Sequence, residues 1–266
     1  MEKISYKDLN FSKMKLLENQ GSNSKIYVIN GKCYKILNDE FLNKDKLLDK
    51  IYALNEIKID NLVSPDKLIF DGNKFMGYTM DYLTDSENLF DRFSKDRFVD
   101  ANDILKATKK VSIILEKLHN SGIILCDLSF SNILIDKNDI IRICDIDGFR
   151  YKDFSSDYVP EFLKTYYDNL GDKLVIDKLS DIQCLLLSML ISLYNRLILN
   201  IDDYDTLSDK IKTLSDLRFV VDEFFYYTDA QIPYLHEFIY DDDHYIIDRD
   251  TQVSEERRLK KDYRIH

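Results

Sequence analysis

Residues 118–149 read LHNSGIILCDLSFSNILIDKNDIIRICDIDGF, and the reading of this stretch decides the fold. Asp127 and Asn132 stand five positions apart, and Asp145 follows thirteen positions later. Between Asn132 and Asp145 lie two β-branched runs, 133–135 and 140–143, separated by the polar turn Asp136-Lys137-Asn138-Asp139. Such runs around such a turn predict a β-hairpin with a carboxylate-bearing loop at each outer end. Pairing the strands would bring Asp127, Asn132 and Asp145 to one point. Two carboxylates and an amide oxygen suit a hard cation such as Mg²⁺ with a general base beside it. A hairpin whose turns are merely acidic also accounts for these residues, because Asp and Asn favour turns. The rest of the chain separates the two readings.

With 266 residues, the chain can bury a sizeable core as one domain or as two small lobes. Hydrophobic residues at 45% and charged residues at 32% describe a folded chain rather than a disordered one. A formal charge of −11 argues against nucleic acid or an anionic membrane as partner, since both would repel it. It leaves ATP open, because local cations offset a global field. The four cysteines, Cys33, Cys126, Cys144 and Cys184, form no CxxC pair, so neither a zinc site nor a disulfide framework is expected. Reduced thiols and an N-terminus without an apolar core fit a cytoplasmic protein. The longest apolar run, 184–194, is interrupted by Ser188 and Ser192, which predicts a core helix rather than a membrane span.

Before the central stretch, runs 26–29 and 32–37 flank Asn30-Gly31, a strong signal for a tight hairpin. The loop ENQGSNSKIY precedes them, and Gly21 in its middle would let backbone N–H groups approach phosphate oxygens. Lys35 in the second strand is either an exposed side chain or a fixed cation for phosphate. Residues 40–57 have helical spacing at Leu47, Leu48, Ile51 and Leu54. Runs 67–70 and 75–83 around Asp71-Gly72-Asn73 predict two more strands. A helix from Asn102 or Asp103 to His119 follows, and Ser180-Asp181 is expected to cap another running to Asn195. Shorter helical patterns occupy 205–213 and 216–225.

This order of elements, with its motifs, resembles the protein kinase family, as an atypical and divergent member of bacterial type. L-C-D-L-S-F-S-N at 125–132 stands where the family has H-R-D-L-x-x-x-N, and Asp145-Ile146-Asp147 stands at D-F-G. Cys33-Tyr34-Lys35 matches the A-x-K of the third strand, Val159-Pro160-Glu161 resembles A-P-E, and Ser180-Asp181-Ile182 resembles the start of the central helix. The resemblance runs from about residue 13 to about residue 225. It implies an α+β, two-lobe fold. The N-lobe, 1–83, would hold a five-stranded antiparallel sheet with one helix, and the C-lobe, 84–266, would be mainly helical with a C-terminal extension.

The resemblance also implies roles. Lys35 would hold ATP phosphates, Asp127 would be the catalytic base, and Asn132 and Asp145 would bind Mg²⁺. Adenine would lie against hinge backbone from Asp81 to Leu83, roofed by Ile26 and Cys33, floored by Leu134 and backed by the gatekeeper Met80. Gly21 would lie over the phosphates, Glu56, or else Asp49 on the same helix, would pair with Lys35, and Asp181 would hold the catalytic-loop backbone. Several positions depart from the pattern. Asn19 and Ser24 replace two loop glycines, Leu125 and Cys126 replace His-Arg, Ser129 replaces the loop lysine, and Asp147 replaces the glycine of D-F-G. Asp147 either adds a metal ligand or caps the next turn. The missing arginine and a short activation segment predict a kinase not switched on by phosphorylation at Tyr151, Ser155, Ser156 or Tyr158. The acceptor would be a protein or small-molecule hydroxyl. The alternatives are a pseudokinase scaffold and a small-molecule kinase of the aminoglycoside or choline type.

Overall fold

Asn30 and Gly31 both take positive φ, 51° and 72°, as the tight turn between two right-twisted strands requires. They join β3 (Ser24–Ile29) to β4 (Lys32–Leu37). The computed structural model describes residues 1–17, 23–41, 43–57, 59–95, 101–154, 163–164, 174–199 and 234–237. In it β3 and β4 belong to a sheet with β1 (Glu2–Ser5), β2 (Lys15–Leu16), β5 (Pro65–Asp71) and β6 (Lys74–Asp81). The strand order is β1-β5-β6-β4-β3-β2. The five expected strands are antiparallel neighbours. The sixth, β1, pairs parallel to β5 and closes that edge. Its short and mostly exposed sequence carried no strand signal. It is held by the ladder and by the Glu2–Lys67 ion pair at 2.8 Å.

Register decides what the sheet presents to the site. Lys35 lies opposite Ile26 on one side and Tyr78 on the other, while Cys33 lies opposite Val28 and Met80. Cross-strand partners share a face, so all six side chains belong to one surface. Gly77 makes the close β4–β6 approach possible. Its φ is 153°, and a Cβ there would lie 2.0 Å from the Lys35 carbonyl oxygen.

The helix after β4, α1 (Lys44–Leu54), is shorter than the expected 40–57. It begins after Asn43, whose φ of 63° turns the chain into it. Leu47, Ile51 and Leu54 are buried, and so is Lys50 on the same stripe. Beyond β6 come β7 (Ser86–Asn88), α2 (Leu89–Lys95) and α3 (Ala101–Asn120). The Asn88 side chain accepts the Asp91 N–H at 2.7 Å and caps α2. On α3, Ile104, Ala107, Val111, Ile114, Leu115 and Leu118 are buried as their spacing requires.

After α3 follow β8 (Ile123–Ile124), β9 (Ile133–Asp136), β10 (Ile141–Ile143) and β11 (Arg150–Tyr151). The predicted hairpin forms, with Ile135 opposite Ile141 and Ile133 opposite Ile143, and β7 pairs with the other edge of β9. Asp136 closes its turn by accepting the N–H groups of Asn138 and Ile140 at 2.8 and 3.0 Å. The connection after α1 is stitched to β10, because Ile143 donates to the Asn61 carbonyl at 2.7 Å and Val63 donates to that of Ile143 at 2.9 Å. The sheet lobe therefore fixes the strand that leads into Asp145.

The long apolar helix α4 (Lys178–Leu199) starts earlier than expected. Its cap is Asp177, whose carboxylate accepts the Leu179 and Ser180 N–H groups at 2.8 and 3.2 Å. Ser180 and Asp181 thus lie inside the first turn. Among the described residues no helix is long and apolar enough to cross a membrane. The V-P-E motif at 159–161 and the helices expected over 205–213 and 216–225 lie outside the described residues.

On the sheet's other face, Lys32 bonds Asp66 and, at 2.7 Å, Asp81, while the Thr79 hydroxyl also donates to Asp66. Partial burial raises the Asp66 pKa, but the Lys32 and Thr79 hydrogen bonds outweigh it and hold the carboxyl below its ordinary 3.8. A depressed carboxyl contributes stability that is present above the unfolded value and is lost as pH falls through the folded one. Asp66→Asn is therefore expected to flatten the loss of stability between about pH 5 and about pH 3, read from denaturant midpoints.

Candidate active site

A buried carboxylate sets the loop that carries Asp127. Asp181, fully buried on α4, accepts the Leu125 N–H at 2.7 Å and the Cys126 N–H at 2.9 Å through its two oxygens. His119 Nε2 lies 3.0 Å from the same carboxylate, and its Nδ1 lies 2.9 Å from the Tyr234 hydroxyl. A carboxylate only accepts, so Nε2 is the donor to Asp181. Cys126 takes a left-handed φ of 64°, which reverses the chain so that Leu125 and Cys126 point into the core. Asp127 follows, half-buried. Charge-assisted bonds to two successive amides are strong enough to hold that strained turn.

Asn132 then folds back on Asp127. Its amide nitrogen donates to the Asp127 carbonyl at 3.0 Å and to the carboxylate at 3.3 Å. The Asn132 carbonyl accepts the Cys144 N–H at 3.0 Å and the Cys144 thiol at 3.2 Å. That pair of contacts holds the residue before Asp145 on the Asp127–Asn132 loop, and Asp145 itself sits at a left-handed φ of 66°. The start of the Asp145 loop is thus bonded to Asn132, which is itself bonded to Asp127. Among the described residues no three His, Cys, Asp or Glu side chains are grouped to hold a metal.

Lys35 reaches this centre from β4. Its ammonium pairs with Asp145 and, at 2.6 Å, with Asp147. Burial opposes its charge, yet the Asp147 and Asp145 carboxylates outweigh burial and raise its pKa above the ordinary lysine value. The Tyr78 hydroxyl donates to the other Asp147 oxygen at 2.8 Å, and burial followed by the Asp147 charge raises the phenol's pKa. Burial pushes the neighbouring thiols up as well, Cys33 to about 11 and Cys144 to about 12. From α1, Lys50 donates to the Asp147 carbonyl at 2.5 Å and to the Phe149 carbonyl at 2.8 Å.

Glu56 does not meet Lys35. The helix ends at Leu54, which leaves Glu56 exposed in the following turn with Lys152 at 3.7 Å. Asp147 pairs with Lys35 instead, which also answers what stands at the glycine position: its carboxylate holds Lys35 and Tyr78. Lys50 and Tyr78 were missed. Lys50 was visible as a lysine on the apolar stripe of α1, between Leu47 and Leu54. Of the expected nucleotide contacts, Ile26, Cys33 and Met80 share the sheet face with Lys35. Leu134 is half-buried on β9, on the face opposite the buried Ile133 and Ile135. Asp81 ends β6 with its side chain on Lys32, and the Leu83 carbonyl accepts the Ser86 hydroxyl at 2.6 Å. Gly21 lies outside the described residues, as do Ser155, Ser156 and Tyr158. Tyr151 is buried where β11 pairs with β8, so it is not an available phosphate acceptor.

Residues 11–161 match the protein kinase domain family, a stretch that covers more than half of the chain and includes every residue of this centre except Asp181 and Tyr234. No curated protein matches the chain. Removing the Asp181 carboxylate would leave two buried N–H groups unsatisfied. Asp181→Ala is expected to destabilise the fold by about 3 kcal/mol, measured by denaturant unfolding.

Proposed function

The chain belongs to the protein kinase family, and on that premise we propose that it transfers the terminal phosphoryl group of ATP to a hydroxyl acceptor with Mg²⁺. The observation that supports this most directly is the meeting of Lys35 with Asp145 beside the Asp127–Asn132 pair, across two lobes. The lobes are taken as 1–83 and 84–266. The donor set fits a magnesium ion: an exposed carboxylate at Asp145 and the side-chain oxygen of Asn132, whose amide nitrogen is already engaged by Asp127. Magnesium is commonly bound by one or two such groups together with phosphate oxygens and water. Held there, it would offset phosphate charge.

The chain's own residues do the rest by position and charge. Lys35 carries a buried positive charge to the α- and β-phosphates. Ile26 and Cys33 roof the adenine, Leu134 lies beneath it, Met80 stands behind it, and backbone groups from Asp81 to Leu83 bond its edge. Asp127 accepts the proton of the acceptor hydroxyl as that oxygen attacks phosphorus and the bond to ADP breaks. Ser129 in place of a lysine removes one cation from the transition state and lowers the rate. Cys126 is buried with its thiol on the Ile124 carbonyl at 3.6 Å, so the loop has no arginine at that position to answer a phosphorylated segment. Activity independent of activation-segment phosphorylation follows.

A second reading, a nucleotide-binding scaffold without turnover, is favoured by one observation. Both carboxylates on Lys35 compete with the phosphates for the same ammonium. One experiment separates the two. Asp127→Asn is expected to keep thermal stabilisation by Mg·ATP and to lower ATP turnover by about 100-fold. Equal turnover in both proteins would remove Asp127 as the base, and ATP binding without turnover in the unaltered protein would establish the scaffold.

A further inference from the structure

Two lysines converge on the loop after β10, and one aspartate serves both. Asp147 gives its side chain to Lys35 and Tyr78, and its backbone carbonyl to Lys50. Its carboxylate is 14% exposed, against 43% for Asp145. The two acidic groups are thus sorted: the open one faces solvent where a cation and phosphates can reach it, and the enclosed one is reserved for lysine. Were a cation to draw Asp145 away, Asp147 would still compensate the buried ammonium of Lys35. Lys50 leaves α1 on the apolar side, and a lysine stays buried only where its ammonium is hydrogen-bonded. The Asp147 and Phe149 carbonyls supply those bonds.

We propose that Asp147 and Lys50 are positioning residues that exchange the usual places of the two charges. The carboxylate that orients Lys35 comes from the metal loop itself, and the helix contributes a cation that grips that loop by its backbone. This deepens the phosphotransferase reading and rests on it for the role of Lys35. Orientation of Lys35 then needs no acidic side chain from α1. The helix still reports on the loop, because Lys50 spans α1 and both carbonyls flanking Gly148.

The test compares the full chain with Asp147→Asn, Lys50→Met, Lys50→Glu and the double variant Lys50→Glu with Asp147→Gly, which returns the carboxylate to the helix. Intrinsic ATP hydrolysis with Mg²⁺ and amide hydrogen exchange without nucleotide are measured. Asp147→Asn is expected to raise KM for ATP about 10-fold while kcat stays within about 3-fold, because orientation of a binding group is lost rather than the base. Lys50→Met is expected to speed exchange in 144–149 and in α1 together. The double variant is expected to melt above Lys50→Glu alone and to recover part of the KM. Unchanged KM and unchanged exchange in Asp147→Asn would overturn the proposal, as would exchange in Lys50→Met that rises in α1 alone. Failure of the unaltered protein to bind ATP would sink the phosphotransferase reading, and the paired exchange response would still decide the arrangement of charges.

Discussion

The ion pair on which the site depends joins residues 110 positions apart, Lys35 on β4 and Asp145 after β10. An ammonium enclosed in protein is costly unless opposite charge and hydrogen bonds surround it. The sheet lobe delivers the lysine through a register fixed by the Asn30-Gly31 turn and by the close approach at Gly77. The hairpin delivers the aspartate through the Cys144–Asn132 contacts. The Ile143–Asn61 and Val63–Ile143 bonds then tie the two deliveries together, so a slip in either lobe would separate the charges.

A second constraint works from below. Tyr234, His119 and Asp181 form one hydrogen-bonded line that ends on the Leu125 and Cys126 amides. The line begins at Tyr234, just before the short 3-10 turn Leu235–Glu237, whose His236 ring lies 3.1 Å from the Ser112 hydroxyl. The loop that carries Asp127 is therefore braced by the helical lobe's core rather than by its own sequence. A left-handed cysteine just before Asp127 is tolerable only with such bracing.

Much of this was readable in the chain because spacing carries it. The interval from Asp127 to Asn132 and Asp145 defines a loop, a hairpin and a second loop, and the hairpin strands pair in the structure. Strands 32–37 and 133–135 follow from apolar runs beside turn residues, and the helix over 102–119 from its apolar period and the polar residues that open it. What escaped was set by tertiary contact. Glu56 is the glutamate near the end of the expected helix, but α1 stops two residues short of it. Lys50 escapes a sequence reading because lysines usually stay in water. Asp177 rather than Ser180-Asp181 caps α4, since Asp181 had a stronger claim from two buried amides. The strand β1 has almost no apolar pattern, and only the open edge of β5 makes it a strand.

The exchange of charge between α1 and the loop at Asp147 bears on how such chains are counted in genomes. A screen that judges competence by a glutamate on the first helix and a glycine after D-x would score two losses here. The fold holds a single substitution of source, with the acid moved by one loop and a cation sent back. Sorting chains by whether a carboxylate reaches the β4 lysine in space, whatever element supplies it, would place this one differently from a chain that lacks the carboxylate altogether.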